Sequence, residues 1–197
     1  PCQHTCPVEL NIPGYLSLIK VGKFIDAYKL IKQRNPLPAI CGRVCHRPCE
    51  SKCNRARQDD ALAIRDLKRF VADYVHNANI DIDIRPRGSK LKRIAIIGSG
   101  PAGLSAAWDL AMEGYKVDIF EALPVPGGML AVAIPEYRLP KSVLQKEISE
   151  ITRLGVSIMT NTRVDDAVSL LKKGYQAVFI ATGAHKGTKA GIPGEDL

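Results

Sequence analysis

The sequence predicts an α-helical N-terminal domain followed by an α/β domain with a parallel sheet. Apolar residues recur at helical spacing through residues 1–80, and no strand pattern occurs there. From residue 93 onwards, to residue 197, short β-branched runs alternate with helical patterns, which is typical of strand–helix–strand units. Residues 81–92 are polar, include Pro86 and Gly88, and are predicted to be a linker.

The helices of the first domain are predicted from their apolar faces. Residues 12–19 and 24–31 each place apolar side chains on one helix face, with a break at Gly22 between them. The sequence NPLP at residues 35–38 is expected to end the second helix, because proline blocks the turn before it. A third apolar face lies over residues 67–75.

The second domain is predicted to alternate strands and helices. A helix begins at Pro101, where proline is tolerated in the first turn, and ends at Gly114. A further helix is expected over residues 141–154. The predicted strands are RIAIIG, KVDIFEA, VSIMTN and QAVFIATG.

A glycine motif follows the first of these strands. Gly98, Gly100 and Gly103 form G-x-G-x-x-G between a strand and a helix, the context that dinucleotide binding requires. The first glycine permits a tight turn, the second lets the backbone approach a pyrophosphate, and the third lets the helix pack on the strand. Free N–H groups at the helix start then bind the anion. The α/β domain is therefore predicted to be Rossmann-like.

The residues after the second strand favour FAD as the dinucleotide. Glu121 is predicted to accept hydrogen bonds from ribose hydroxyls and to repel the 2′-phosphate of NADP; the simpler interpretation is a solvated acid. The loop that follows is too long for a plain connection, and Met129 offers apolar surface to a flat ring. The residues predicted to contact the dinucleotide are Gly98, Gly100, Pro101, Ala102, Gly103, Glu121, Ala122, Gly127, Gly128, Met129, Arg138, Val164, Ala181, Thr182 and Gly183.

The cysteines are confined to the helical part, which argues for metal ligation. Zinc would favour C-x-x-C knuckles, whereas three residues separate successive cysteines within each group, and C-x₃-C-P also ends the bacterial ferredoxin motif. Iron–sulfur clusters are therefore preferred to zinc, with His46 as a hydrogen-bonding neighbour. Two [4Fe–4S] clusters need more thiolates than are present, so either one cluster binds here or upstream cysteines are missing. The candidate ligands are Cys2, Cys6, Cys41, Cys45, Cys49 and Cys53.

Composition excludes several other classes of protein. The net charge is +8, but the densest basic stretch, residues 85–93, holds no aromatic residue, so nucleic-acid binding is not expected. No apolar run is long enough to span a membrane, and no leader resembles a signal peptide, which predicts a cytoplasmic protein. The chain begins at Pro1 and ends at Leu197 inside apparent motifs, so we expect a fragment of a longer protein.

The order of these motifs resembles a known family. The chain is similar to the small (β) subunit of NADPH-dependent glutamate synthase and to the N-terminal half of dihydropyrimidine dehydrogenase. The matching pieces span nearly the whole chain: CPVELNIPGYLSLIK, NPLPAICGRVCHRPCESKCNR, AIRDLKRFVADY, IAIIGSGPAGLSAAWDLA, FEALPVPGGML, AIPEYRLPK, VFIATGA and GIPGEDL.

The resemblance implies an α-helical iron–sulfur domain with two [4Fe–4S] clusters and an α/β FAD-binding domain that is split by an NADPH domain. The NADP(H) site would lie beyond this chain. In this family FAD takes a hydride from NADPH and passes single electrons to the clusters. The expected partner is a large catalytic subunit or a ferredoxin-like protein, and we do not expect the fragment to be active alone.

The resemblance also implies a division of the cysteines. Cys6, Cys45 and Cys49 would bind one cluster, and Cys2 and Cys53 would serve the other. The remaining thiol, on Cys41, is either spare or a substitute ligand. Cys41 is considered as a substitute ligand because Lys68 stands where some relatives carry Glu or Gln, and lysine is a poor iron ligand.

Two other functions are compatible with the sequence. The first alternative is a non-catalytic electron-transfer adaptor, and a second nucleotide-binding unit in the rest of the protein would support the enzyme instead. The second alternative is a zinc-stabilised interaction domain beside a vestigial nucleotide fold. A brown colour and flavin absorbance of the purified protein would exclude this alternative. No acid, base or nucleophile stands out, as expected where cofactors carry the chemistry.

Overall fold

The computed structural model describes residues 1–185, 187–189 and 191–195. Helices fill the first part of the chain and a parallel α/β unit follows, which confirms the predicted fold class. The last two residues of the GIPGEDL motif lie outside the described residues.

Six α-helices and one 3₁₀ turn make up the described N-terminal part. The NPLP sequence ends one helix, as predicted, and also begins the next, because Pro38 occupies a first-turn position where no N–H is needed. The helices are α1 Cys2–Thr5, α2 Ile12–Lys20, α3 Phe24–Lys32, α4 Pro38–Val44, α5 Pro48–Ser51 and α6 Ile64–Asn77, with the 3₁₀ turn at Asn54–Arg57.

The helical part has a small core of its own. The buried face of α6 is rotated from the predicted apolar face, so that Phe70 is 45% exposed while Lys68 is buried. The ring of Phe70 instead packs edge-on against Phe24, at 5.1 Å between centroids. The buried apolar side chains are Leu10, Ile12, Tyr15, Ala27, Tyr28, Ile31, Ala39, Cys49, Ile64, Val71, Ala72 and Val75.

The α/β part forms a parallel sheet of four strands within the described residues, in the order β3-β2-β1-β4. β1 lies at the centre and is buried along most of its length. Strand and helix therefore alternate as predicted. The elements are β1 Arg93–Ile97, α7 Pro101–Met112, β2 Lys116–Phe120, α8 Met129–Val132, α9 Lys141–Thr152, β3 Ser157–Met159, α10 Ala167–Lys172 and β4 Ala177–Ile180.

Helix α4 belongs to both cores. Ala39 is buried in the core of the helical part, whereas Leu37 and Ile40 are buried in the core of the α/β part. Val143 of α9 packs against both cores. The helix that carries Cys41 is therefore one of the elements that the two halves share.

Candidate functional site

A cavity of about 700 Å³ opens at the carboxyl ends of β1, β2 and β4. Ligands of open parallel sheets bind at this edge, and the volume is typical of ligand pockets. The lining residues are Ile97, Gly98, Gly100, Pro101, Ala102, Phe120, Glu121, Ala122, Leu123, Gly128, Met129, Thr162, Arg163, Val164, Ala181, Thr182, Gly183, Ala184 and His185.

The glycine motif wraps the start of α7 against the sheet. Gly98 has φ +102°, and a Cβ there would lie 2.4 Å from the carbonyl oxygen of Ala181. A Cβ on Gly103 would lie 2.0 Å from the carbonyl oxygen of Gly98. These two glycines are therefore required by the close packing of loop, helix and strand.

Gly100 differs from both, because a Cβ there would meet no atom within 4 Å. It lines the cavity, and no side chain caps the N-terminus of α7 that it begins. Gly128 approaches from the far side, since its Cβ would lie 2.9 Å from the Cα of Gly100. Open space beside uncapped helix N–H groups fits the pyrophosphate of a dinucleotide.

Glu121 is more buried than the sequence predicted, and its carboxylate forms hydrogen bonds within the protein. It is 5% exposed, and its carboxylate accepts hydrogen bonds from the N–H of Ser99 and the N–H of Leu123, both at 2.8 Å, and from the Ser99 hydroxyl. Burial acts to raise the pKa of Glu121, but these hydrogen bonds outweigh it and hold the pKa below its ordinary value. Glu121 therefore braces the glycine loop as an anion while it lines the cavity.

Most of the predicted dinucleotide contacts lie around this cavity, and three do not. Gly103 packs beneath the loop, as described above. Gly127 packs against Leu144, with its N–H donating to the Ser99 hydroxyl at 3.0 Å. Arg138 is exposed and does not line the cavity.

Sequence reasoning missed several residues of the cavity wall. Thr162 and Arg163 follow β3, and the N–H of Thr162 donates to the carbonyl of Glu121 at 2.7 Å. His185 follows the ATGA sequence, and its charge lowers the pKa of Glu121. Their position after neighbouring strands was the available signal, because the carboxyl ends of parallel strands share one edge.

The cysteines lie among the short helices of the first part, and all six are free thiols. Helix α1, which begins at Cys2, packs on α5, which contains Cys49. Burial first, and then the charges of Glu50, Cys6 and Cys45, raise the pKa of Cys49. The first and second cysteine groups therefore come together although more than thirty residues separate them in sequence.

Backbone N–H groups point at two of the sulfur atoms. The N–H of Arg47, a residue with φ +55°, donates to Sγ of Cys45 at 3.3 Å. Backbone hydrogen bonds, from Leu62 above all and also from Arg55 and Ala56, lower the pKa of Cys53. Such donors stabilise a thiolate, the form that binds iron.

The thiols of the described residues do not form a site for a single metal ion. Among the residues that the structure describes, no three Cys, His, Asp or Glu side chains meet closely enough to share one metal ion. The cysteines of a [4Fe–4S] cluster bind separate iron atoms, so their sulfur atoms stand further apart than the ligands of one ion.

Buried carboxylates on α9 connect the two halves. Glu147 accepts hydrogen bonds from the N–H groups of Ala39 and Ile40 at 2.8 and 3.1 Å, at the start of α4. Glu150 pairs with Lys32 at 2.6 Å, and it lies 3.1 Å from Nε2 of His76. A charged network therefore ties α3, α4 and α6 to the α/β part.

The two carboxylates have opposite electrostatic environments. Burial raises the pKa of Glu147 to about 7, against the effects of Lys32 and of the two N–H donors. Burial also acts to raise the pKa of Glu150, but the hydrogen bond with His76 and the charge of Lys32 outweigh it and lower the pKa to about 2. Glu150 is the permanent anion of the network, and Glu147 titrates near neutral pH.

The fold and the glycine site define the class of protein as a dinucleotide-binding α/β domain joined to a cysteine-rich helical domain. Residues 92–197 match the family of pyridine nucleotide-disulphide oxidoreductases, and the chain belongs to this family. Residues 1–80 match the domain described as dihydropyrimidine dehydrogenase domain II, 4Fe-4S cluster, which confirms the resemblance predicted from the sequence. The two matches imply FAD, a [4Fe–4S] cluster and NADP(H) as cofactors.

Curated relatives are similar to this chain over all or nearly all of its length. The NADP(+)-dependent formate dehydrogenase subunit beta of Moorella thermoacetica is 48% identical, covering 100% of this chain and 31% of that protein. The NADPH-Fe(3+) oxidoreductase subunit beta of Geobacter sulfurreducens is 44% identical, covering 100% and 30%. The NAD-dependent dihydropyrimidine dehydrogenase subunit PreT of Escherichia coli is 38% identical, covering 98% and 47%. The chain thus spans about a third to a half of the relatives it matches.

Proposed function

We propose that the chain is the electron-transfer module of an NAD(P)H-dependent oxidoreductase. When bound, the flavin supplies the exchange between a two-electron hydride donor and one-electron clusters. The glycine loop, braced by Glu121, would hold the pyrophosphate of FAD beside Gly100. Cys6, Cys45 and Cys49 would hold one cluster, and Cys2 and Cys53 would contribute to another.

The observation that carries this proposal is that α4 packs into the cores of both the helical part and the α/β part. Met129 lines the cavity, and its neighbour Leu130 is buried in the same hydrophobic cluster as Ile40. Ile40 directly precedes Cys41, and Cys45 follows the end of α4. The wall of the flavin cavity and the cysteine helix are therefore packed into one core, which supports direct electron transfer between their cofactors.

The rest of the protein would complete the activity. The NAD(P)H site, the acceptor subunit or ferredoxin-like partner, and a likeness in activity to the glutamate synthase small subunit are parts of this proposal. We also propose that the fragment has no activity alone and that the protein is cytoplasmic. No helix in the described part of the chain is long and apolar enough to cross a membrane.

The proposal is tested on the full-length protein, purified without oxygen. FAD and iron are quantified, and the protein is then mixed with NADPH or NADH. We expect bleaching of the flavin absorbance together with the EPR signal of a reduced [4Fe–4S] cluster. Cluster reduction by reduced ferredoxin, but by neither nicotinamide, would instead identify the adaptor. Bound zinc without iron would contradict both.

A further inference from the structure

Two lysines are buried among the residues that the structure describes, and they have different surroundings. Lys32 is 3% exposed and fully compensated: its Nζ lies 2.6 Å from Glu150, donates to the carbonyl of Pro36 at 2.6 Å, and sits 4.1 Å from the ring centroid of Trp108. Lys68 is 7% exposed, and no carboxylate in the described part of the chain forms an ion pair with it. A buried ammonium group is unfavourable without a compensating negative charge.

The groups beside Lys68 are thiols. Helices α4 and α6 pack closely at Gly42, where an added Cβ would lie 2.9 Å from the Cα of Arg69. Cys41 directly precedes Gly42, and Lys68 directly precedes Arg69. Burial above all raises the pKa of Cys41 and the pKa of Cys49, and the positive charge of Lys68 partly offsets this rise at both thiols.

Lys68 lies one turn after Arg65, whose N–H donates to the carboxylate of Glu50, the residue next to Cys49, at 2.9 Å. The charge of Lys68 therefore acts on the cysteines, and no carboxylate in the described part of the chain forms an ion pair with it. Cys49 interacts in turn with Cys6 and Cys45, the other two members of the proposed ligand set. Iron ligation converts these thiols to thiolates and places a negatively charged cluster among them. A cluster there supplies the counter-charge that Lys68 lacks in the protein itself.

We propose that Lys68 is the counter-cation of the cluster bound by Cys6, Cys45 and Cys49, and that it raises the reduction potential of that cluster. The inference rests on the proposed function, because it requires the cluster. Reduction adds one electron to the cluster and makes no bond to Lys68. A fixed positive charge nearby stabilises the more negative, reduced form, and charge near a cluster is one of the factors that set its potential.

The test is an EPR-monitored redox titration of the full-length protein with its clusters. Lys68→Met removes the charge while keeping a long apolar side chain. We expect the midpoint of one cluster to fall, with the ratio of reduced to oxidised cluster at a given potential changing at least tenfold, which is about 59 mV for one electron. The other midpoint and the iron content should stay as in the wild type.

The matched control is Arg69→Met, the adjacent cation on the same helix. Arg69 is exposed and pairs with Asp73, so water screens its charge and neither midpoint should move. Full iron content with unchanged midpoints in Lys68→Met overturns the inference.

A second pair of variants covers the case in which Lys68→Met loses iron. Lys68→Arg should then keep the wild-type midpoint, and Lys68→Gln should lower it. Loss of one cluster in both would mean that Lys68 is needed to build the site, which contradicts a role as counter-cation. A wild-type protein without iron would contradict the proposed function itself, and the inference with it.

Discussion

Gly100 lines the candidate dinucleotide cavity and has open space where a side chain would begin. The other two glycines of the motif are required by contacts within the protein, whereas a Cβ added at Gly100 would meet no protein atom within 4 Å. We therefore expect a substitution there to change ligand binding rather than the fold.

We therefore predict that Gly100→Asp abolishes FAD binding while the iron content stays normal. The added carboxylate would occupy the place of the pyrophosphate and repel it. Flavin and iron are measured in the purified variant, with Gly100→Ala as the control. The single methyl group should weaken FAD binding without abolishing it, and normal flavin occupancy in Gly100→Asp would show that the loop is not the site.

The cysteines are predicted to differ in their contribution to iron binding. Cys45→Ser and Cys49→Ser should each lose one cluster and loosen the helical part, because thiolate–iron bonds stabilise a domain whose apolar core is small. The flavin domain has its own sheet and should survive. Anaerobic iron analysis and limited proteolysis measure the two effects, and full iron content in either variant would contradict the ligand assignment.

Cys41→Ser is the informative comparison within that series. Burial raises the pKa of Cys41, which disfavours the thiolate. We expect its loss to leave iron unchanged. Disappearance of one cluster would instead make Cys41 a cluster ligand, in place of the Glu or Gln that some relatives carry at the position of Lys68.

The packing of α4 on α6 depends on one glycine, Gly42. An alanine normally stabilises the interior of a helix by about 1 kcal/mol relative to glycine. At Gly42 the added methyl group would instead meet the backbone of Arg69 at 2.9 Å.

We predict that Gly42→Ala lowers the free energy of unfolding by about 1–3 kcal/mol, because the two helices must separate to admit the methyl group. Chemical denaturation followed by circular dichroism gives the value. The sign of the change in the free energy of unfolding tests the packing, because a stabilised variant would mean that α4 and α6 do not pack as described.

For the whole molecule, the buried carboxylate of Glu147 is the main electrostatic link between the two cores. The pKa of Glu147 is about 7 in the folded chain, above its ordinary value of 4.5. The folded state therefore binds more protons than the unfolded state between about pH 4.5 and pH 7. The stability that this group contributes is present at low pH and is lost as the pH rises through that window.

We predict that Glu147→Gln removes this pH dependence, since glutamine resembles the protonated acid. The wild type should lose about 3 kcal/mol relative to the variant between pH 4.5 and pH 8. Taking the difference between the two proteins cancels the other groups, including Glu150, whose pKa of about 2 makes its contribution fall only below pH 4.5. Parallel stability curves for both proteins over this range would contradict the prediction.

The sequence by itself determined the order of the elements and the position of the glycine site. Both depend on local signals: apolar spacing separates helix from strand, and Gly98, Gly100 and Gly103 act within one strand–turn–helix unit. The clustering of the cysteines is equally local. Each of these features could therefore be read from neighbouring residues, and the resemblance to known oxidoreductases followed from their order.

Only the tertiary structure decided which face of each helix is buried and which distant groups meet. Ala39 and Glu147 are far apart in the sequence, and nothing near either residue predicts their hydrogen bond. The same holds for Lys68, a charged side chain that is nevertheless buried and whose charge acts on Cys41 and Cys49, both distant in the sequence. Burial of a charge depends on the packing of α4, α5 and α6 together, and no single segment contains that information.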